Sequence, residues 1–113
     1  MSSSTKTENL PLSVFCSCPD ATSAFRLAHV LVEEKLAACV QVLEHMHSVY
    51  RWEDKMEQAR EHLLLAKTDA LHFEALRKRI CSLHPYSTPE IIAHPILYAE
   101  PKYLEWLLAQ LAP

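Results

Sequence analysis

The sequence predicts a single α+β domain, and two observations carry that prediction. Apolar residues recur with period two in four segments and with helical spacing in three others, in the order strand, helix, strand, strand, helix, strand, helix. The 113-residue chain has 50% hydrophobic and 22% charged residues, which is the composition of a globular protein with one core. We find no repeat and no linker, so residues 11–113 are expected to form one domain after a flexible polar tail at residues 1–10.

The first strand and the first helix are predicted from adjacent segments. Residues 12–18 are rich in β-favouring side chains, and Pro19 followed by Asp20 ends the strand. Asp20 is a good N-cap residue, and its charge suits the positive end of a helix. The next apolar positions have the i, i+3, i+4, i+7 spacing that predicts a helix over residues 21–36: Ala24, Leu27, Ala28 and Leu31.

Two long strands follow and are predicted to pair as a hairpin. Residues 39–52 alternate with period two, and residues 56–68 return as the partner strand with a buried end at residues 63–65. The polar turn between them is residues 53–55, where Asp54 tolerates a positive φ. One apolar face of the first long strand is predicted from its even-numbered positions: Val40, Val42, Met46, Tyr50 and Trp52.

The last third of the chain predicts a helix, a strand and a helix. Asp69 is the expected N-cap of the second helix, which ends at His84 because Pro85 disfavours helical backbone before it. A rigid loop at residues 85–89 leads to a fourth strand over residues 90–99, with Pro95 indicating an edge or a bulge. Pro101 suits the first turn of the terminal helix.

The element order is β-α-β-β-α-β with a C-terminal helix, which is the ferredoxin-like arrangement. Its helices are expected to cover one face of the sheet. The long hairpin carries large side chains on both faces, and one chain has no layer left to cover the second face. The sequence therefore predicts self-association.

Composition excludes several classes of function. A formal net charge of −3 argues against general nucleic-acid binding. The chain has 0 glycines, and phosphate-cradling loops and dinucleotide fingerprints both need that residue. No segment approaches the length of a membrane span, and the polar start of the chain has no apolar core of a signal peptide. The 4 cysteines are expected to be reduced thiols in the cytoplasm.

Five motifs together carry a resemblance to a known family. The sequence resembles the CutA divalent-cation tolerance family, and the match covers nearly the whole domain in the right order and spacing. The run HPYSTPE, combined with the upstream LAAC, is specific. The matching stretches are residues 14–20 (VFCSCPD), 34–40 (EKLAACV), 48–53 (SVYRWE), 61–68 (EHLLLAKT) and 84–90 (HPYSTPE).

The resemblance implies a ferredoxin-like subunit in a tight homotrimer that binds copper and other divalent metal ions. The family's copper ligands imply Cys16 and His84 as metal ligands here, whereas Leu83 stands where the family has another histidine. The chain also departs from the family at residues 44–45, where Glu-His replaces Pro-Gly, and at Asp54, which replaces Gly. The resemblance further implies a cleft between subunits that could bind a small anion or metabolite, approached by these residues: Tyr50, Trp52, Glu61, Lys67, Tyr86, Thr88 and Glu90.

The candidate ligands also have structural interpretations. Cys16 and Cys18 lie two apart on one strand, so their thiols should face the same side, either as small core side chains or as soft ligands for copper. The resemblance implies two metal ligands, so the remaining ligands of the ion would be water, a residue of another subunit or Cys18. His45 and His47 are a second pair at i, i+2, for which a solvated strand face is the alternative.

Three functions follow from these observations. The first is a trimeric cytosolic protein that binds copper or other divalent ions and takes part in metal tolerance. The second is a trimeric small-molecule sensor resembling PII-like signalling proteins, and the third is a structural trimer that scaffolds a partner. An enzyme is not expected, since Cys16 and His84 lack a third group to orient the histidine.

Overall fold

A computed structural model describes residues 9–113, so residues 1–8 of the predicted tail lie outside the described part. The elements are β1 (Pro11–Cys18), α1 (Ala21–Glu33), β2 (Cys39–Trp52), β3 (Lys55–Asp69), α2 (Phe73–Leu83), β4 (Ile91–Pro95) and α3 (Pro101–Leu111). This order and the α+β class confirm the prediction. None of the described helices is long and apolar enough to cross a membrane.

The four strands form one antiparallel sheet in the order β2-β3-β1-β4. β1 is therefore central and pairs with β3 on one side and β4 on the other. The main core lies between the sheet and helices α1 and α2. Its buried members include Val14, Cys16, Leu27, Leu31, Leu64, Leu76 and Ile80. A smaller cluster holds α3 through Leu107 and Leu111 against Ala38.

A bulge in β2 reverses the direction in which its side chains point. Leu43 pairs with Leu63 and Met46 pairs with Glu61, so β2 has one residue more than β3 between these pairs. Strand side chains alternate between faces, and one extra residue exchanges the two faces beyond it. The bulge residue His45 has φ 64°.

The predicted single apolar face of β2 is therefore wrong. In β3 the even-numbered Leu64 and Ala66 are buried in the core, so odd-numbered β3 residues and their β2 partners point away from α1 and α2. Val40 and Val42 pack against the core. Beyond the bulge the even positions lie on the opposite side, which we call the outer face: Met46, Tyr50 and Trp52.

The hairpin turn is tighter than predicted and contains no glycine. Glu53 and Asp54 have φ 49° and 65°, and Trp52 already pairs with Lys55. Two consecutive positive φ values match the twist of a two-residue hairpin turn of type I′. Lys55 therefore belongs to β3.

The predicted end of the first helix and the predicted N-cap of the second differ from the structure. Helix α1 ends at Glu33, because Lys35 adopts φ 60° and the chain closes with Leu36 N–H donating to Leu31 O at 2.9 Å. The Asp69 carboxylate accepts the backbone N–H of His72 at 2.9 Å, in a turn before α2, so Asp69 is not the N-cap.

The fourth strand is shorter than the predicted residues 90–99. Within residues 9–113, β4 pairs only with β1, and the register runs from Cys16–Ile91 to Leu12–Pro95. One further hydrogen bond joins Ile96 N–H to Pro11 O at 2.9 Å. β4 ends there because β1 begins at Pro11 and offers no partner beyond it.

Candidate functional site

A cluster of two cysteines and one histidine lies beneath the central strand. Ligand atoms of Cys16, Cys18 and His84 all lie within 4.8 Å of one another, and all three residues are buried. β1 places both thiols on its core side, because residues two apart in a strand share a face. His84 is the C-cap of α2, with its N–H donating to Ile80 O at 2.8 Å.

Both ring nitrogens of His84 make hydrogen bonds to the backbone. Nδ1 accepts from Tyr86 N–H at 3.0 Å, so Nε2 carries the ring proton and donates to Ser17 O at 2.8 Å. The ring is thus neutral and held in one tautomer. A metal ion at either nitrogen must displace one of these two partners.

The two thiols differ in acidity because they contact each other. The pKa of Cys16 is raised, first by its interaction with the neighbouring Cys18 thiol and then by burial. The same contact lowers the pKa of Cys18. Cys18 is therefore the thiol that more readily supplies a thiolate, which is the form that binds soft metals.

Cys18 is the cluster member that the resemblance does not imply. The i, i+2 spacing from Cys16 was the signal for it, and the structure brings the two thiols together as that spacing predicts. Leu83, in contrast, packs against the core and offers no ligand atom.

His45 and His47, the second candidate pair, are both exposed, as a solvated strand face requires. The bulge separates His45 from the regular alternation, and the ring of His45 lies 5.7 Å from the ring of His62. His62 is the cross-strand partner of Cys18. Its Nδ1 is buried and has no hydrogen-bond partner within residues 9–113.

A groove of about 820 Å³ opens between the hairpin and the loop that follows α2. Six of the seven predicted cleft residues line it: Tyr50, Trp52, Glu61, Tyr86, Thr88 and Glu90. The seventh, Lys67, does not. Its Nζ donates to Gln41 Oε1 at 2.9 Å, six residues or about 20 Å along β3 from Glu61.

Two hydrogen bonds hold the groove's acidic side chains. The Tyr86 hydroxyl donates to Glu61 Oε2 at 2.8 Å, and burial followed by this bond raises the pKa of Tyr86. The Ser17 hydroxyl donates to Glu90 Oε1 at 3.3 Å. Because Ser17 O also accepts from His84, the groove and the cluster share Ser17 and Tyr86 as common contacts.

Comparison with known proteins decides the family. The profile of the family described as CutA1 divalent ion tolerance protein matches residues 12–110. The chain belongs to the CutA divalent-cation tolerance family. One relative, the divalent-cation tolerance protein CutA of Pectobacterium atrosepticum, is 43% identical over 98 residues, covering 87% of this chain and 89% of the relative.

Solved CutA structures share the fold. CutA from Xylella fastidiosa superposes with a TM-score of 0.88 at 43% identity, covering 90% of this chain and 98% of that one. A CutA protein from Archaeoglobus fulgidus, described as periplasmic, superposes with a TM-score of 0.88 at 32% identity, covering 91% of this chain and 100% of that one. Family membership therefore extends over the sheet, the hairpin and the segment that carries His84.

Proposed function

We propose that this CutA chain binds copper through Cys16, Cys18 and His84 and takes part in the tolerance of divalent cations as a binding protein, without catalysis. The observation that carries the proposal is the position of three donor atoms within 4.8 Å of one another. Atoms that share one ion of this kind lie about 4 Å apart, so the cluster needs only a small contraction.

The donor set favours a soft ion over a hard one. Two sulfurs and one imidazole nitrogen suit Cu(I), whereas magnesium and calcium prefer oxygen. Binding must displace a backbone partner of His84 and remove protons from the thiols, so affinity should be modest and should fall as the pH falls.

A copper titration under reducing conditions tests the proposal. Wild type, Cys16→Ser, Cys18→Ser and His84→Ala compete with a chromophoric Cu(I) chelator. The matched control is Cys81→Ser, because Cys81 is a free, exposed thiol outside the cluster. Each cluster variant should lose copper to the chelator more readily than wild type, and Cys81→Ser should not. Equal retention in all five proteins would place the site elsewhere.

We further propose that the chain assembles as a homotrimer through the outer face. Large apolar side chains remain uncovered there, with exposed fractions of 56% for Leu43, 54% for Trp52 and 45% for Ile92. Light scattering should give about 39 kDa, which is three chains of 12.9 kDa. Trp52→Glu should weaken the assembly, because burying an unpaired charge is costly. A monomer at micromolar concentration contradicts the trimer.

The proposed location is the cytoplasm. All 4 cysteines are free thiols, a state that reducing compartments maintain. The periplasmic description belongs to the Archaeoglobus fulgidus relative. Fractionation of cells that express the natural chain tests the location, and recovery outside the cytoplasmic fraction overturns it.

A further inference from the structure

Two histidine rings lie close together on the helix-covered side of the sheet, opposite the outer face. His62 is the cross-strand partner of Cys18, which belongs to the core, and residues directly opposite each other in a sheet share a face. The ring of His45, at the bulge, lies 5.7 Å from the ring of His62. The pair is therefore separate from the surface proposed for trimer assembly, and neither residue lines the groove.

We propose that His45 and His62 together bind a divalent transition-metal ion of the zinc type. The inference is independent of the copper cluster, because it uses none of the cluster's donor atoms. Imidazole nitrogens bind zinc at about 2.0–2.1 Å, and the ring centre lies about 1 Å behind the nitrogen, so two rings on one tetrahedral ion have centres about 5 Å apart. The observed separation of 5.7 Å requires only a small approach of the rings.

The free ring nitrogen of His62 is the observation that favours a metal ion. Its Nδ1 is buried and has no hydrogen-bond partner within residues 9–113. A buried polar atom without a partner is costly, and a bound ion is one way in which proteins satisfy such atoms. The proposal makes Nδ1 the ligand atom of His62. His84 differs, because both of its ring nitrogens are hydrogen-bonded and one must be released before it binds a metal.

The bulge makes His45 the accessible ligand of the pair. The residue is exposed, so an ion and its water ligands can enter from solvent. Its φ of 64° is costly for a residue with a Cβ, and strained residues of this kind cluster at binding sites. Glycine, which the CutA resemblance places at this position, would relieve the strain but offers no ligand atom.

A nearby carboxylate adds to the attraction for a cation. The pKa of Asp20, the N-cap of α1, is lowered first by hydrogen bonding with Ser23 and also by the charge of His62. Asp20 and His62 therefore lie within electrostatic range of each other. Two protein ligands leave the other positions of the ion to water, so binding should be weaker than at structural zinc sites with four protein ligands.

Zinc calorimetry tests the proposal in a chain without the thiol donors. Cys16→Ser combined with Cys18→Ser removes the copper cluster, and this variant should still bind about one zinc ion per chain. Adding His45→Ala should weaken zinc binding at least about tenfold, because one of two protein ligands is lost. The matched control is His47→Ala, an exposed histidine on the same strand outside the pair. Absence of zinc binding, or equal affinities in the two histidine variants, overturns the proposal.

NMR of the wild-type chain covers the case in which the double serine variant does not fold. When zinc is added at fixed pH, the ring-nitrogen signals of His45 and His62 should move together to values of metal-bound imidazole. The signals of His47 should stay in place. If Nδ1 of His62 keeps the signal of an unbound ring nitrogen at saturating zinc, the proposal is wrong.

The copper titration separates this inference from the proposed function. His45→Ala should retain Cu(I) against the chelator as well as wild type does, because His45 is not a member of the thiol cluster. Failure of the copper proposal leaves the zinc result unchanged, since the zinc titration is made without the two thiols. If His45→Ala loses copper as readily as Cys16→Ser, the histidine pair is not a separate site and the proposal fails.

Discussion

The bulge residue His45 provides a direct test of how the chain folds without glycine. Its φ of 64° lies in the left-handed region, where the Cβ of a non-glycine residue crowds the backbone. Replacing His45 with glycine should relieve that strain. The substitution also removes the ring contact with His62, so alanine is needed as the reference, since both variants lose the ring.

The expected magnitude follows from two opposing contributions. A left-handed conformation costs a residue with a Cβ about 1–2 kcal/mol, whereas glycine loses about 0.5–1 kcal/mol through its more flexible unfolded state. His45→Gly should therefore be more stable than His45→Ala by about 1 kcal/mol. At Ala59, in the regular part of β3, glycine has no strain to relieve, and Ala59→Gly should destabilise by about 1 kcal/mol.

Urea unfolding at one fixed protein concentration measures both differences. The concentration must be held constant because self-association adds to apparent stability. The result that refutes the reasoning is a His45→Gly variant no more stable than His45→Ala while Ala59→Gly behaves as expected. That outcome would mean that the backbone at the bulge relaxes to an ordinary φ in solution.

Three further predictions concern single contacts. The hydrogen bond with Cys39, followed by burial, raises the pKa of Tyr103 to about 12. Tyr103 should therefore stabilise the fold below about pH 10, and this contribution should disappear as the pH rises through 12. Tyr103→Phe should abolish the absorbance step of tyrosinate near pH 12. Asp20→Ala should lower the thermal midpoint at pH 7, and the difference should shrink as the pH falls below about 4, because capping lowers the pKa of Asp20. Thr68→Val should cost about 1–3 kcal/mol in urea unfolding, since it leaves Leu36 O without the hydroxyl that donates at 2.7 Å.

Each of these contacts has an outcome that contradicts it. If the tyrosinate absorbance step near pH 12 is unchanged in Tyr103→Phe, that step does not come from Tyr103, and the hydrogen bond with Cys39 does not raise its pKa. A difference between wild type and Asp20→Ala that does not shrink as the pH falls below about 4 would show that helix capping by the carboxylate is not its cause. Thr22→Val serves as the control for Thr68→Val, because Thr22 is exposed on α1, and equal losses in both variants would mean that burial of the hydroxyl is irrelevant.

The periodic segments of the sequence predict the fold well because burial imposes their spacing. The helical stripe at Ala24, Leu27 and Leu31 and the alternation in β1 both appear in the core. The bulge was not predictable by the same means. Nothing in the alternation marks His45 as an extra residue. The even-numbered positions of β2 are apolar both before and after His45, but those before it face the core and those after it lie on the outer face.

The candidate site was partly predictable for a similar reason. Local spacing places Cys16 and Cys18 together, and the proline after His84 fixes where α2 ends. The hydrogen bonds that occupy both nitrogens of His84 come from backbone groups, whose directions depend on how β1 meets the loop after α2. Side-chain identity cannot reveal them. Lys67 does not line the groove within one chain, because position along β3, and not only its face, decides which residues reach it.

The central position of β1 has a consequence for the order of folding. The β2–β3 hairpin closes through two residues, whereas the pairing of Leu12 with Pro95 joins the two ends of the domain. Closing the longer loop costs more entropy and depends on contacts formed earlier, so the β1–β4 pairing should be among the last to form. The two thiols belong to β1, the first strand of this pairing, and His84 comes shortly before β4, the second strand. A chain in which β4 has not yet docked would therefore hold the two thiols without the imidazole, and the proposed metal cluster would be completed only when that strand docks.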